Sequence, residues 1–296
     1  MTKKMRGNIL LLITAVVWGI SFVSQSVGMD YIEPNTFNGI RTVLGGIVLL
    51  PVIFFIDKQK KKNGTYEKCD YKKLLLYGGI CGTLLCVAAT LQTYGLKETT
   101  AGKSGFITAL YIIFVAAGGI FTGRRIKGKV VAGVFMAVLG MYFLCLFGEK
   151  INFCFGDFLT FICAIVFSFH IIVIDKFSPK TDGVKLSCTQ FLVGGTLNLI
   201  VMFIFENPDI ELIMQCAGAI LYSGVMSCGV AYTLQIVGQK YTDPTSASML
   251  MSLESVFAAL SGWVLLGESM SLPQILGGVL MFTAIVLVQI PDKKEA

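Results

Sequence analysis

Apolar residues in this chain gather in long blocks, near residues 8 to 28, 35 to 56, 74 to 96, 101 to 123, 127 to 148, 154 to 174, 185 to 205, 212 to 238, 245 to 267 and 271 to 291. A helix needs about 20 consecutive apolar residues to cross the hydrocarbon of a bilayer, and each block has about that length. The pattern predicts ten membrane-spanning helices. Most connections are only a few residues long, which leaves no room for a soluble domain. The one long connection, 57 to 73, is the lysine-rich DKQKKKNGTYEKCDYKK. The first block follows Lys3, Lys4 and Arg6 like a signal peptide. Its apolar stretch exceeds the roughly 7 to 15 residues of a signal core and has no A-x-A cleavage site, so it reads as a retained span.

Composition agrees with the block pattern. Of the 296 residues 55% are hydrophobic and 14% charged, against about 25% charged in an ordinary soluble domain. The nine cysteines lie mostly inside apolar blocks, with no C-x-x-C pair and no histidine at metal spacing. They read as small core residues, with Cys69 a free cytoplasmic thiol, and neither a metal nor a cofactor is expected. The net charge of +6 comes from basic residues at the ends of spans, where anionic headgroups account for them. A nucleic-acid role is rejected.

Charge also orients the chain. With a cytoplasmic N-terminus, 20 of the 24 Lys and Arg residues fall on the inner side, in the N-terminus, the 57 to 73 loop, Arg124 to Lys129, Lys176 to Lys185, Lys240 and the C-terminus. Only Lys97, Lys103 and Lys150 fall outside, and Arg41 lies within a span. Positively charged loops stay on the cytoplasmic side, so both termini are expected there; compactness and short loops point to the plasma membrane of a bacterium.

The chain also matches itself. AVVWGISF at 15 to 22 aligns with AIVFSFHI at 164 to 171, and RTVLGG at 41 to 46 with QFLVGG at 190 to 195, at one offset of 149. Later spans align at an offset of 144, which sets Gly123 on Gly267 and Gly133 on Gly277. The matches predict a duplicated five-helix unit, 1–150 and 151–296. Five is odd, so the second copy enters the membrane inverted, the plan of many secondary transporters with a site near the midplane. The predicted fold is an all-α integral membrane protein, ten transmembrane helices as two inverted repeats around a central cavity.

YGLKETTAGKSGFITALY at 94 to 111, SLESVFAALSGWVLLGE at 252 to 268 and QILGGVL at 274 to 280 resemble the drug/metabolite transporter superfamily, in particular its EamA-type ten-helix permeases. The resemblance covers both halves. It implies a basket of helices with a cavity lined by helices 1, 3, 4, 6, 8 and 9, helices 5 and 10 lying peripherally. It also implies export or facilitation of amino acids, nucleobases, other metabolites or toxic cations. Where the family commonly has proline after the glutamate, this chain has Ser255, and a straighter ninth helix is expected.

Polar groups inside hydrocarbon are costly and usually face a wet cavity or the protein interior. Glu254 lies about 13 Å into the ninth block, near the midplane, and is the leading candidate to hold a substrate ammonium or a proton. Arg41, about 9 Å into the second block, is placed in a structural or gating role, snorkelling outward or reaching inward toward Glu254. His170, the lone histidine, is a candidate for binding or proton relay. Trp18, Ser21 and Gln25 recur at helical spacing on one face. Tyr111, Tyr232 and Gln235 add groups able to orient an amino acid. For each of these, interhelical hydrogen bonding is the plainer alternative. Gly78–Gly82 and Gly119–Gly123 have the G-x-x-x-G spacing of close helix packing.

No span carries an H-E-x-x-H or a carboxylate cluster, and no phosphate-binding loop is present, which excludes an intramembrane enzyme and a nucleotide-driven pump. The expected function is a secondary transporter or facilitator of a small metabolite, an amino acid or related compound, by export. Protons are the candidate coupling ion, and the assembly is a monomer or homodimer. The alternative is a multidrug or organic-cation exporter of the same fold. A passive pore is disfavoured because no repeated polar stripe runs along the spans.

Overall fold

The computed structural model describes residues 2–66, 68–99, 101–121, 127–148, 153–266 and 270–290. Gly123, Arg124, Arg125, Lys150, Gly267, Glu268, Lys293 and Lys294, which enter the sequence arguments above, lie outside the described residues. Among the described residues the structure is helical: α1 (Lys3–Met29), α2 (Pro34–Lys62), α3 (Tyr71–Glu98), α4 (Ala101–Ala109), α5 (Tyr111–Phe121), α6 (Gly128–Cys145), α7 (Phe155–Phe177) and α8 (Gly183–Phe205). Next come α9 (Ile210–Gln215), α10 (Ala217–Tyr222), a π-helical run (Ser223–Tyr232), α11 (Thr233–Gln239), α12 (Pro244–Met251), α13 (Glu254–Leu266) and α14 (Leu272–Gln289). Eight helices among them, counting Lys103–Ile120 and Ala217–Gln239 as single spans, are long and apolar enough to cross a membrane.

The two remaining blocks fall short for physical reasons. The stretch from Leu272 to Val288 is apolar but brief. The block at 245 to 267, expected as one straight helix, is interrupted at Ser252–Leu253. No proline is needed for the break. Ser248 Oγ and Ser252 Oγ donate to the carbonyls of Thr245 and Met249 (both 2.8 Å), and the Leu253 and Ser255 N–H groups donate three residues back, to Leu250 O (3.3 Å) and Ser252 O (3.2 Å). Serine bonding to nearby carbonyls tightens and bends a helix at such a point. The block at 101 to 123 is likewise interrupted, at Leu110, whose N–H donates to Ile107 O at 3.2 Å.

Helix ends are tied by side chains. Asp70, Asp182 and Asp243 each accept from the first-turn N–H groups of α3, α8 and α12, as N-cap residues do. Helix α2 starts on Pro34 and is capped from a distance: Glu206, at the end of α8, accepts from Asn35 N (2.8 Å) and Thr36 N (2.7 Å). At its other end α2 runs past the predicted limit to Lys62, because Lys60 reaches Asp182 (2.6 Å) and Asp57 reaches Lys185 (2.7 Å). Burial pushes the Asp182 carboxyl up, but the Lys60 ammonium and the N–H groups of Lys185 and Val184 outweigh it and hold the group below the usual carboxylate value.

The most extensive packing joins α2 to α8, α6 to α14, α3 to α7 and α8, and α1 to α13. Glycine permits it. A Cβ on Gly194 would stand 2.7 Å from Gly82 O, and one on Gly277 would stand 2.5 Å from Gly140 O. Backbones approach this closely where small residues face each other. Gly78 also faces α8, at Thr189, whereas a Cβ on Gly119 would meet open space. Large apolar side chains such as Phe54, Phe55, Phe135 and Phe203 are exposed on the outside of the bundle, as a lipid-facing surface requires.

Candidate substrate pocket

The interruptions in the fourth and ninth blocks meet inside the bundle. Tyr111 opens α5 and Glu254 opens α13, and the Tyr111 hydroxyl donates to Glu254 Oε1 at 3.3 Å. Both are buried, at 4% and 6% exposed. They form one wall of an interior pocket of about 40 Å³, more than the roughly 10 to 15 Å³ that one ordered water needs.

Helix α1 contributes Trp18, Phe22 and Gln25, α3 contributes Gln92, α7 contributes His170 and its neighbours, and the π-helical run and α11 contribute Ser227, Tyr232 and Gln235. The π run widens the helix just where it ends on Tyr232, and π segments recur at functional sites. Tyr232 is the aromatic hub. Its ring centroid is 4.6 Å from Trp18, 5.8 Å from Phe191 and 6.2 Å from His170. His170 Nε2 lies 3.2 Å from the Gln190 side-chain amide. His170 Nδ1, Trp18 Nε1 and Gln235 Oε1 are buried without a protein partner. The residues that carry these atoms line the pocket.

The structure thus brings together seven of the eight residues the sequence proposed for binding: Trp18, Gln25, Tyr111, His170, Tyr232, Gln235 and Glu254. Ser21 is buried, with its hydroxyl unpartnered, but does not line the pocket. On a helix it stands about 60° round from Trp18, whereas Gln25 and Phe22 stand about 20° and 40° away. Arg41 does line the pocket and is 5% exposed. It makes no ion pair with Glu254; its Nε donates to Asn38 Oδ1 at 2.9 Å and its guanidinium lies over the Phe37 ring at 5.3 Å. Sequence reasoning missed Gln92, Thr108, Phe167, Ser227 and Met251 in the lining. Among the described residues no group of three His, Cys, Asp or Glu side chains could hold a metal.

A bundle of apolar helices around an interior pocket of aromatic, amide and ionisable groups defines an integral membrane transporter. The sequence comparisons agree, and they are specific: the chain belongs to the EamA-like transporter family, whose profile matches residues 5–146 and again 154–290. It is therefore a transporter and not an enzyme. An "Uncharacterized transporter" of Archaeoglobus fulgidus is 27% identical over 97% of this chain and 87% of its own. A "Probable amino-acid metabolite efflux pump" of Salmonella typhimurium is 25% identical over 95% of this chain and 94% of its own. A solved crystal structure at 16% identity covers 95% of this chain and 96% of its own with a TM-score of 0.77, a likeness of fold.

Proposed function

We propose that the protein is a secondary carrier that exports an amino acid or a closely related metabolite across the plasma membrane by alternating access. The observation that carries this reading is the Tyr111–Glu254 pair, a buried carboxylate beside two helix interruptions on the wall of a pocket lined by polar and aromatic residues. The similarity to proteins called amino-acid metabolite efflux pumps adds support. The aromatic wall also suits an organic cation, the alternative cargo, but a guanidinium in the same wall opposes it.

The ten-span, inverted-repeat reading, with units at 1–150 and 151–296, is supported by correspondences between the halves. Exchanging the halves turns the packing of α3 on α7 into that of α11 on α1, and the packing of α3 on α8 into that of the π run on α2; α2–α8 and α6–α14 map onto themselves. Close glycine contacts follow the same exchange, Gly95 with Gly156 and Gly238 with Gly7. The helices that resume after the two interruptions start at Tyr111 and Glu254, 143 residues apart, within one residue of the offset of 144 read from the sequence. Two related halves of opposite orientation supply two similar states that open to opposite sides.

Two experiments test the proposal. In proteoliposomes loaded with a panel of amino acids, the chain should exchange at least one labelled amino acid saturably; drug resistance in cells without any amino acid flux would favour the organic-cation reading. For orientation, single-cysteine variants retaining either Cys154 or Cys69, both partly exposed, are treated with an impermeant maleimide on intact cells. Cys154 should label at once and Cys69 only after permeabilisation, and the reverse order would invert the topology.

A further inference from the structure

The Tyr111–Glu254 pocket does not account for Arg41. Beside that pocket lies a second, smaller cavity of about 10 Å³, lined by Arg41, Thr42, Asn198, Cys228 and Tyr232 among others, and only Arg41 and Tyr232 border both. A guanidinium stays charged in any protein environment, so unlike a buried lysine or histidine it cannot escape desolvation by losing its proton. A buried charge without an opposite charge is strongly unfavourable. Yet no carboxylate lies within ion-pair distance of Arg41 among the described residues; the neutral Asn38 Oδ1 and the Phe37 ring take only part of its donor capacity. Glu254 borders the larger cavity alone.

The other polar groups around the smaller cavity are suited to an anion. Asn198 Oδ1 is occupied by Thr90 Oγ1 at 2.8 Å, which leaves its amide N–H groups to donate. Tyr232, whose side chain carries a hydroxyl, lines the same space. A planar guanidinium fork with a flanking amide and phenol matches a carboxylate, and its charge also attracts a halide. We propose that Arg41, with Asn198 and Tyr232, forms a binding site for a small monovalent anion at the junction of the two cavities. The anion is either the carboxylate of the cargo, a form that rests on the metabolite-carrier reading, or a free halide bound beside it. In the first form Glu254 and Arg41 divide a zwitterion between them and set specificity at both of its ends.

Thermal denaturation of purified protein in detergent reads the site without requiring flux. Sodium chloride replaces sodium isethionate, whose anion is a bulky sulfonate, at constant ionic strength. In parallel, acetate, propionate, alanine and alaninamide, which lacks the carboxylate, are titrated. The wild type should be stabilised saturably by chloride, by the carboxylate probes or by both, and alaninamide should add nothing that depends on Arg41. Arg41→Gln should weaken the effective anion by about tenfold or more, and Arg41→Lys, which keeps the charge and loses the fork, by less.

Stabilisation by the carboxylates, with chloride competing, assigns the site to the cargo's carboxylate; stabilisation by chloride alone assigns it to a free anion. No saturable effect of either on wild type, or an effect that survives in Arg41→Gln, overturns the proposal. If Arg41→Gln does not fold, competition between chloride and propionate on the wild type decides: mutual exclusion supports one shared site, and independent action overturns it. Loss of amino acid flux in vesicles with anion binding intact would sink the cargo reading and leave this site standing, and the converse result would do the opposite.

Discussion

Glu254→Gln should reduce exchange of the amino acid by about 30-fold while leaving the melting temperature nearly unchanged. The amide keeps the shape of the carboxylate and still offers an oxygen to the Tyr111 hydroxyl, which lies 3.3 Å from Oε1, so the contact between α5 and α13 is kept. What disappears is a charge-assisted contact to a substrate ammonium or the capacity to carry a proton. Hydrogen bonds to charged groups contribute about 1.5 to 3 kcal/mol, and about 2 kcal/mol corresponds to roughly 30-fold. Tyr111→Phe, which removes only the neutral partner, should cost nearer 1 kcal/mol, or roughly fivefold. Equal flux in wild type and Glu254→Gln would remove Glu254 from the transport cycle.

A second large effect is expected at one end of the bundle. Asp157, near the start of α7, accepts from Lys103 Nζ (2.5 Å), Thr99 Oγ1 (2.8 Å) and Cys154 N (2.9 Å). The lysine and aspartate side chains are 14% and 4% exposed, so this pair is shielded far more than Lys97–Glu33 nearby. Removing one partner of a buried pair costs about 3 kcal/mol or more. Asp157→Asn should lower thermal stability by about that amount. The offset of 149 sets Asp157 over Asn8, whose Oδ1 accepts from Thr242 Oγ1 at 3.1 Å. The two junctions are thus ionic at one end and a hydroxyl–amide contact at the other. In an alternating carrier, weakening the ionic end should populate the outward-open state, seen as faster maleimide labelling of Cys154. Unchanged stability and unchanged labelling would show that the pair does not hold that junction.

The spans were legible because hydrocarbon imposes a length rule that few other environments impose, and eight helices of that kind stand where the apolar blocks predicted them. The best site candidates were legible for the same reason. Glu254, His170 and Gln235 are conspicuous in apolar surroundings, whereas Thr108 and Ser227 are ordinary in any helix and gave no signal. The interruption at Ser252–Leu253 was missed because proline was the expected cause, and serine bonding to carbonyls does the same work. The π run at Ser223–Tyr232 has no sequence signature. For Arg41 depth alone left two directions open to a long side chain; Asn38 and Phe37, one turn before it, settle that it turns inward.

Trans-stimulation separates carriage from passive conduction most directly. Efflux of a labelled amino acid from proteoliposomes is timed with and without the same unlabelled amino acid outside. A carrier that must return its site across the membrane should release label several times faster when the outside is loaded, with flux saturating in the inner concentration. Flux that rises linearly with concentration and ignores the opposite side would mean a continuous pore and contradict the account.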